Sequence, residues 1–322
     1  MSDAVARLKA QLPEHPSVDE LTPLADDYTG LRILAVHAHP DDESSKGSAS
    51  AAAYTDRGAR YMVATMTGGE RGDILNEEIK HSPRAHRDLP GMRRSEMAAA
   101  AKAIGIEHRW MGFVDSGLPE GDPMPPLPFG CFGVQPLERA AAPLVRLVRE
   151  YRPHVMISYD EIGGYPHPDH IMSHKVAVEA YEKASDPEAY VGEGQPWAPL
   201  KLYYDRAFNP ERLVAGHEFL MARDGQSVFS GWIENLVDQV STEGIRHEST
   251  TRIPSSAYFD RRDQAMLAHA SQIDPNGAFF AIPTEDVKKV WPWEDYTLIA
   301  SRVPVDLPEC CLADGLDYQA AG

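Results

Sequence analysis

The sequence predicts an α/β fold built on a mostly parallel, doubly wound sheet with a C-terminal α+β capping portion. Short apolar runs alternate with helix-forming stretches, each pair making one β-α unit, and the alternation persists to about residue 190. Beyond Gly192-Glu193-Gly194-Gln195-Pro196 the regularity weakens, which separates the capping portion from the core. Leu31–Val36 is an apolar run suited to a buried strand, and it stops at His37-Ala38-His39-Pro40. Ser44 or Ser45 caps a helix reaching about Arg57, with Gly58 as its stop. Arg60–Thr67 reads as the second strand, broken by Gly68-Gly69. A helix follows from about Gly91 to Ile104, then a third strand over Arg109–Phe113. Five prolines between Gly117 and Gly130 exclude regular helix and favour an extended surface loop. Pro136–Glu150 shows helical spacing, His154–Tyr159 resumes a strand, and Pro168–Ala184 is again helical. The second half offers a strand at Lys201–Tyr204 and amphipathic helices around 211–240 and 257–272.

At roughly 150 residues per domain, 322 residues make two domains or one enlarged one. The expected division is an acidic, Pro-interrupted leader over 1–30, a Rossmann-like core over 31–190, and a substrate-contacting portion over 191–322 packed on that core. The 31 basic and 49 acidic residues leave a net charge of −18, which repels nucleic acid and anionic membranes. A hydrophobic content of 43% with 25% charged residues fits a folded globular chain rather than a disordered one. Cys131, Cys310 and Cys311 form neither a CxxC pair nor an even disulfide set, so a reducing cytoplasm is the expected location. The first twenty residues lack the apolar core of an export signal, and no stretch approaches the ~20 apolar residues that span a bilayer.

Two clusters carry metal-site chemistry. His39-Pro40-Asp41-Asp42-Glu43 sits where the first strand hands over to a helix, the edge on which open α/β sheets place their ligands. Tyr165-Pro166-His167-Pro168-Asp169-His170 follows the strand His154–Tyr159 in the same topological position, so the two clusters can face each other. Either alone reads as surface histidines and a helix cap. Together, His39, Asp42 and His170 supply two imidazoles and a carboxylate with a fourth position left for water, the pattern of hydrolytic rather than structural zinc.

The combination Ala38-His39-Pro40-Asp41-Asp42-Glu43 with His167-Pro168-Asp169-His170 resembles the LmbE-like, or PIG-L, superfamily of zinc-dependent N-acetylglucosaminyl deacetylases. Longer strings at 37–47, 67–72, 112–119, 163–171 and 269–275 resemble its branch acting on S-conjugates of mycothiol. The resemblance implies one Zn2+ per chain, or Fe2+ on the same ligands, and a small-molecule substrate: the amide joining an S-alkylated acetylcysteine to glucosaminyl-inositol. The nearest alternative in the same superfamily removes acetate from N-acetylglucosaminyl-inositol, and a sugar or metal sensor without turnover is an alternative of another class. The absence of GxGxxG after the first strand disfavours a dinucleotide oxidoreductase.

Family correspondence makes Asp41 the general base and lets His167 stabilise the oxyanion or protonate the departing amine. Asp169 is placed to orient a nearby imidazole, and Tyr165 to donate a phenolic proton or serve as a structural tyrosine. Arg93 and Asp115 correspond to sugar-contacting positions, although Arg93 with Glu96 also fits a surface i,i+3 pair. Glu70 and Arg71 follow the second strand on the ligand edge. Lys46, four residues beyond Asp42, either reaches the acyl-cysteine side of the substrate or is solvated.

Overall fold

A computed structural model describes residues 2–12, 21–121, 123–243 and 247–319. Its strands are β1 Arg32–His37, β2 Arg60–Thr67, β3 Glu107–Phe113, β4 Val155–Ser158, β5 Lys201–Asp205, β6 Thr251–Pro254 and β7 Trp293–Ser301. They form one sheet in the order β3-β2-β1-β4-β5-β7-β6. The first five are parallel, and β7 lies antiparallel between β5 and β6. The helices are α1 Ser2–Lys9, α2 Asp42–Ser45, α3 Ser48–Thr55, α4 Pro83–Arg87, α5 Leu89–Ile104, α6 Leu137–Tyr151, α7 Pro168–Lys183, α8 Pro210–Asp224, α9 Ser230–Glu243, α10 Phe259–Ala268 and α11 Thr284–Val290.

The run Ile33-Leu34-Ala35-Val36 is fully buried because both faces of β1 are covered. Ile33 and Ala35 join Val63 and Ile157 under α3, α5 and α10, while Leu34 and Val36 join Ala64 and Met156 under α6 and α7. This is the doubly wound arrangement the alternation predicts. The order reverses between β1 and β4, and the carboxyl ends of those two strands open the crevice in which such sheets bind ligands.

Several boundaries differ from the sequence reading. The single helix expected to reach Arg57 is two, because Gly47 turns the chain at φ +92 between α2 and α3, where a Cβ would lie 2.5 Å from Tyr296 Oη. The helix expected over 211–240 is likewise divided, at Gly225 (φ +72), into α8 and α9. Only Phe259–Ala268 of the stretch 257–272 is α-helix. The third strand starts at Glu107, and α5 starts at Leu89 because Asp88 Oδ1 accepts from Gly91 N at 3.0 Å. Within the expected leader, α1 packs Val5 and Leu8 against Val214 and Ile233, and Leu24 and Tyr28 enter the core; residues 13–20 lie outside the described residues. The three cysteines are free thiols, and no helix among the described residues is long and apolar enough to cross a membrane.

Candidate metal centre and active site

As the chain leaves β1, Thr67 N donates to Ala38 O at 3.0 Å and Ala38 N donates to Tyr159 Oη at 2.8 Å, fixing His39 at the sheet edge. Beyond β4, Gly163 N donates to Asp160 O at 2.9 Å and Gly164 N to Asp160 Oδ1 at 2.8 Å, closing a loop against α7. Gly163 has φ +77 and approaches so closely that a Cβ would lie 2.4 Å from His170 Cβ. That approach lets Gly163 O accept from His170 Nδ1 at 2.9 Å. His167 caps α7, its Nδ1 accepting from Asp169 N at 3.1 Å.

The tautomers follow from these partners. A carbonyl only accepts, so His170 carries its proton on Nδ1, and its buried Nε2 is a lone pair with no hydrogen-bond partner, 3.5 Å from Asp42 Oδ2. Asp169 Oδ2 lies 3.2 Å from His39 Nε2 and places the proton there, turning His39 Nδ1 toward Asp42 Oδ2 at 3.7 Å. Asp169 is itself held by Ser116, whose N donates to Oδ2 at 3.0 Å and whose Oγ donates to Oδ1. With both rings neutral, two imidazole lone pairs and a carboxylate oxygen, all within 4.8 Å of one another and buried, have no proton to share between them. A divalent cation satisfies all three, so the residues fit a metal. His39, Asp115 and His167 are equally close, but that grouping draws on the His39 Nε2 that Asp169 engages.

The electrostatics agree. Burial opposes charge on Asp42, yet Lys46, with its Nζ 2.5 Å from Oδ1, and the His170 and His39 rings hold the carboxyl well below the ordinary range. Tyr159 Oη donates to Asp42 Oδ2 at 2.7 Å, and its ring stacks on His170 with centroids 4.4 Å apart. Burial disfavours a charged His39, but the carboxylates of Asp115, Asp169 and Asp42 outweigh it and raise its pKa to about 10, so without a cation a proton takes the Nδ1 position that a metal ion would displace. Burial lowers His170 to about 3. The ionised Asp42 and the neutral His170 thus draw positive charge into the pocket, a proton on His39 or a divalent cation in its place.

Asp41 occupies the positive-φ region at +123, held by its N donating to Glu43 Oε2 at 2.9 Å and by Arg93 Nη2 at 3.0 Å from its Oδ2. Glu43 in turn pairs with buried His269, Oε1 to Nε2 at 2.6 Å. Arg93 is buried and also donates to Pro40 O at 2.6 Å and Gly69 O at 3.0 Å. It forms no surface pair with Glu96, whose carboxylate accepts from Ser271 N and Oγ at 2.8 and 2.6 Å. The His167 ring lies 4.6 Å from that of His39, and Tyr165, 40% exposed, covers His170 at 4.6 Å.

Asp115 Oδ1 stands 3.7 Å from His39 Nε2 and accepts from Gly117 N at 2.7 Å, while Oδ2 accepts from Arg71 N at 2.9 Å. Glu70 Oε2 accepts from Asp115 N at 3.0 Å, so Glu70, Arg71 and Asp115 form one rim. Lys46 is neither solvated nor open to the crevice: it is buried on Asp42, between the rings of Tyr159 and Phe208. Sequence reasoning assigned no role to Tyr159, Ser116 or the Glu43–His269 pair. Ser116 and His269 lie in strings singled out there, whereas Tyr159 reads only as a strand end.

A His, Asp, His grouping able to hold a cation at the switch point of a doubly wound sheet, with a carboxylate and a third imidazole beside it, has the parts of a metal-assisted hydrolase. Residues 34–181 match the family model described as PIG-L, GlcNAc-PI de-N-acetylase, and the chain belongs to that family of amide-hydrolysing enzymes. It is 46% identical over 288 residues to a mycothiol S-conjugate amidase of Streptomyces coelicolor, covering 89% of this chain and 97% of the relative. It is 37% identical over 281 residues to a 1D-myo-inositol 2-acetamido-2-deoxy-alpha-D-glucopyranoside deacetylase of Streptomyces avermitilis, covering 85% and 93%. The solved N,N'-diacetylchitobiose deacetylase of Pyrococcus horikoshii shares the fold at a TM-score of 0.56 and 14% identity, over 83% of each chain.

Proposed function

We propose that the chain is a zinc-dependent amidase that hydrolyses the cysteinyl-glucosamine amide of mycothiol S-conjugates, releasing a mercapturic acid and glucosaminyl-inositol in thiol-based detoxification in the cytoplasm. The observation that carries this reading is the 46% identity to an S-conjugate amidase across 97% of its length, against 37% to a deacetylase acting on the acetylated sugar. In this reading residues 31–190 bear the metal centre and 191–322 contact the substrate. His39, Asp42 and His170 would hold the ion, which acidifies a water and polarises the scissile carbonyl; nitrogen and oxygen donors suit zinc and also ferrous iron.

The chain's own residues then divide the proton work. Asp41 accepts a proton from the attacking water, kept in place by Arg93 Nη2. His167 accepts at Nδ1 from Asp169 N, so its neutral ring carries hydrogen on Nε2 and offers it as a hydrogen bond, without transfer, to the oxyanion of the tetrahedral species. Burial and the neighbouring His39 lower His167 to about 4, which favours that neutral donor at pH 7. Protonated Asp41 returns its proton to the departing glucosamine nitrogen. Tyr165 adds a phenolic donor at the mouth, and Glu70, Arg93 and Asp115 shape the sugar side.

The test is parallel turnover of a bimane-labelled mycothiol conjugate and of N-acetylglucosaminyl-inositol. Release of glucosaminyl-inositol and bimane mercapturate is the expected result. An intact conjugate beside freed acetate would replace this reading with the deacetylase.

A further inference from the structure

The proposed substrate is chemically lopsided: one side of its amide is a sugar-inositol unit made of hydroxyls, the other a cysteine whose sulfur carries a variable organic group. The crevice is lopsided too. On the β2 side Glu70 borders a cleft of about 610 Å3 of mixed lining, where Asp73, Glu77, Lys80 and Arg87 stand beside Ile74, Leu75 and Leu89. On the β5 side lies a cavity with about 90 Å3 open to the centre of a water-sized sphere, walled chiefly by Phe208, Phe229, Trp232 and Ile282, with Gly216 on its α8 side. One water requires about 10–15 Å3 on such a measure, so this is more than a packing defect.

Phe208 stands between this cavity and the metal centre, packed on the buried Lys46. Its ring is 5.7 Å from Lys46 Nζ, which is 2.5 Å from Asp42 Oδ1, and a Cβ on Gly164, next to the loop residue Gly163, would lie 3.9 Å from Phe208 Cδ2. Trp232 extends the aromatic wall, 6.5 Å from Phe208 and 5.9 Å from Phe229, and with Trp232 45% and Phe279 46% exposed the cavity has an aromatic mouth. The one charged lining residue, Arg212, turns its Nη1 to Ala207 O at 3.4 Å. Gly216 lets two of the walls pack closely: a Cβ there would stand 3.2 Å from Phe229 Cε2 and 3.3 Å from Ile282 Cδ1 and would press on both.

We propose that this cavity is the subsite for the S-linked group of the conjugate and selects aromatic or other apolar substituents. The inference rests on the amidase reading and deepens it. In this proposal the amide lies across the β1/β4 crevice with its sugar toward Glu70 and its thioether toward Phe208, so the hydroxyl-rich side meets the cleft that carries charged groups and the S-linked group meets the apolar cavity.

The experiment compares kcat/KM for the bimane and S-methyl conjugates of mycothiol with the full-length metal-loaded enzyme. Gly216→Leu, which crowds the cavity by pressing on Phe229 and Ile282, and Trp232→Ala, which removes an exposed wall, should each lower the bimane-to-methyl ratio by about ten-fold, chiefly through KM. Trp232→Ala keeps the test decisive if the leucine disturbs α8. An unchanged ratio in folded variants that cleave both conjugates overturns the subsite. Failure of the unaltered enzyme to cleave either conjugate overturns the amidase reading and this inference with it, a result separable from the first.

Discussion

Replacing Arg93 by methionine separates two roles for the same side chain. Its guanidinium donates to Asp41 Oδ2, Pro40 O and Gly69 O, all inside 3.0 Å, and the residue is 3% exposed. Methionine keeps the apolar stem, leaves both carbonyls without that donor and strips Asp41 of its cation. Breaking a buried ion pair costs about 3–5 kcal/mol, and Pro40 O loses its donor as well, while Gly69 O keeps Gly72 N at 3.2 Å. Asp41 holds a positive φ that few non-glycine residues adopt, a conformation costing about 1–3 kcal/mol, so it relaxes once Arg93 is gone. A base displaced by about 1 Å lowers turnover on the order of 100-fold. Urea unfolding measures the first effect; kcat and KM, determined separately from release of free glucosaminyl amine, measure the second; metal analysis shows whether the ion stays. Arg93→Met should lose kcat and retain the metal. A direct sugar contact would instead raise KM and spare kcat, and a ten-fold rise in KM with kcat within three-fold of the original would refute the positioning argument.

Asp169→Asn removes the acceptor that holds the His39 proton on Nε2, and metal affinity measured against a competing chelator should weaken about 10- to 100-fold; an unchanged affinity would detach Asp169 from the centre. Burial raises Asp205 to about 7 despite the pull of Lys46, and its Oδ2 has no hydrogen-bond partner. Because the folded pKa exceeds the unfolded one, the stability this carboxyl contributes is complete below about pH 4 and lost as pH rises through about 7. Asp205→Asn should therefore melt like the original protein at pH 4 and be more stable by about 2 kcal/mol at pH 8, half of what 1.36 kcal/mol per pH unit gives for complete burial. Glu309 receives Lys201 Nζ and, at 2.7 Å, Tyr203 Oη in a fully enclosed site, so Glu309→Ala should cost about 3–5 kcal/mol in urea while metal content holds.

The meeting of His39, Asp42 and His170 was legible in the sequence because they lie at or just beyond the ends of strands, where chain position and spatial position coincide. Apolar runs located β1 and β4, parallel pairing put their ends side by side, and His39, Asp42 and His170 followed. Contacts made by distant chain segments were not legible. Lys46 reads as a helix-surface residue until Gly47 breaks the helix, and the reason for that break is Tyr296, far away on β7. Arg93 and Glu96 look like a solvated pair by spacing, but α5 buries both against the Gly69 loop and Ser271. Tyr159 gave no signal, since its role comes from the nearness of β4 to Asp42 and Ala38. Phe208 belongs to the stretch whose periodicity is weakest, and only the sheet order brings it beside Lys46.

The insertion of β7 between β5 and β6 limits how the enzyme can be re-engineered. A fragment cut after residue 190 would bare the apolar flank of β4, Val155-Met156-Ile157, as a short naked edge able to pair with other copies. Chimeras meant to transplant conjugate preference should exchange α8, α9 and the chain leading to α11 while retaining β5 and β7 as the donor-independent frame.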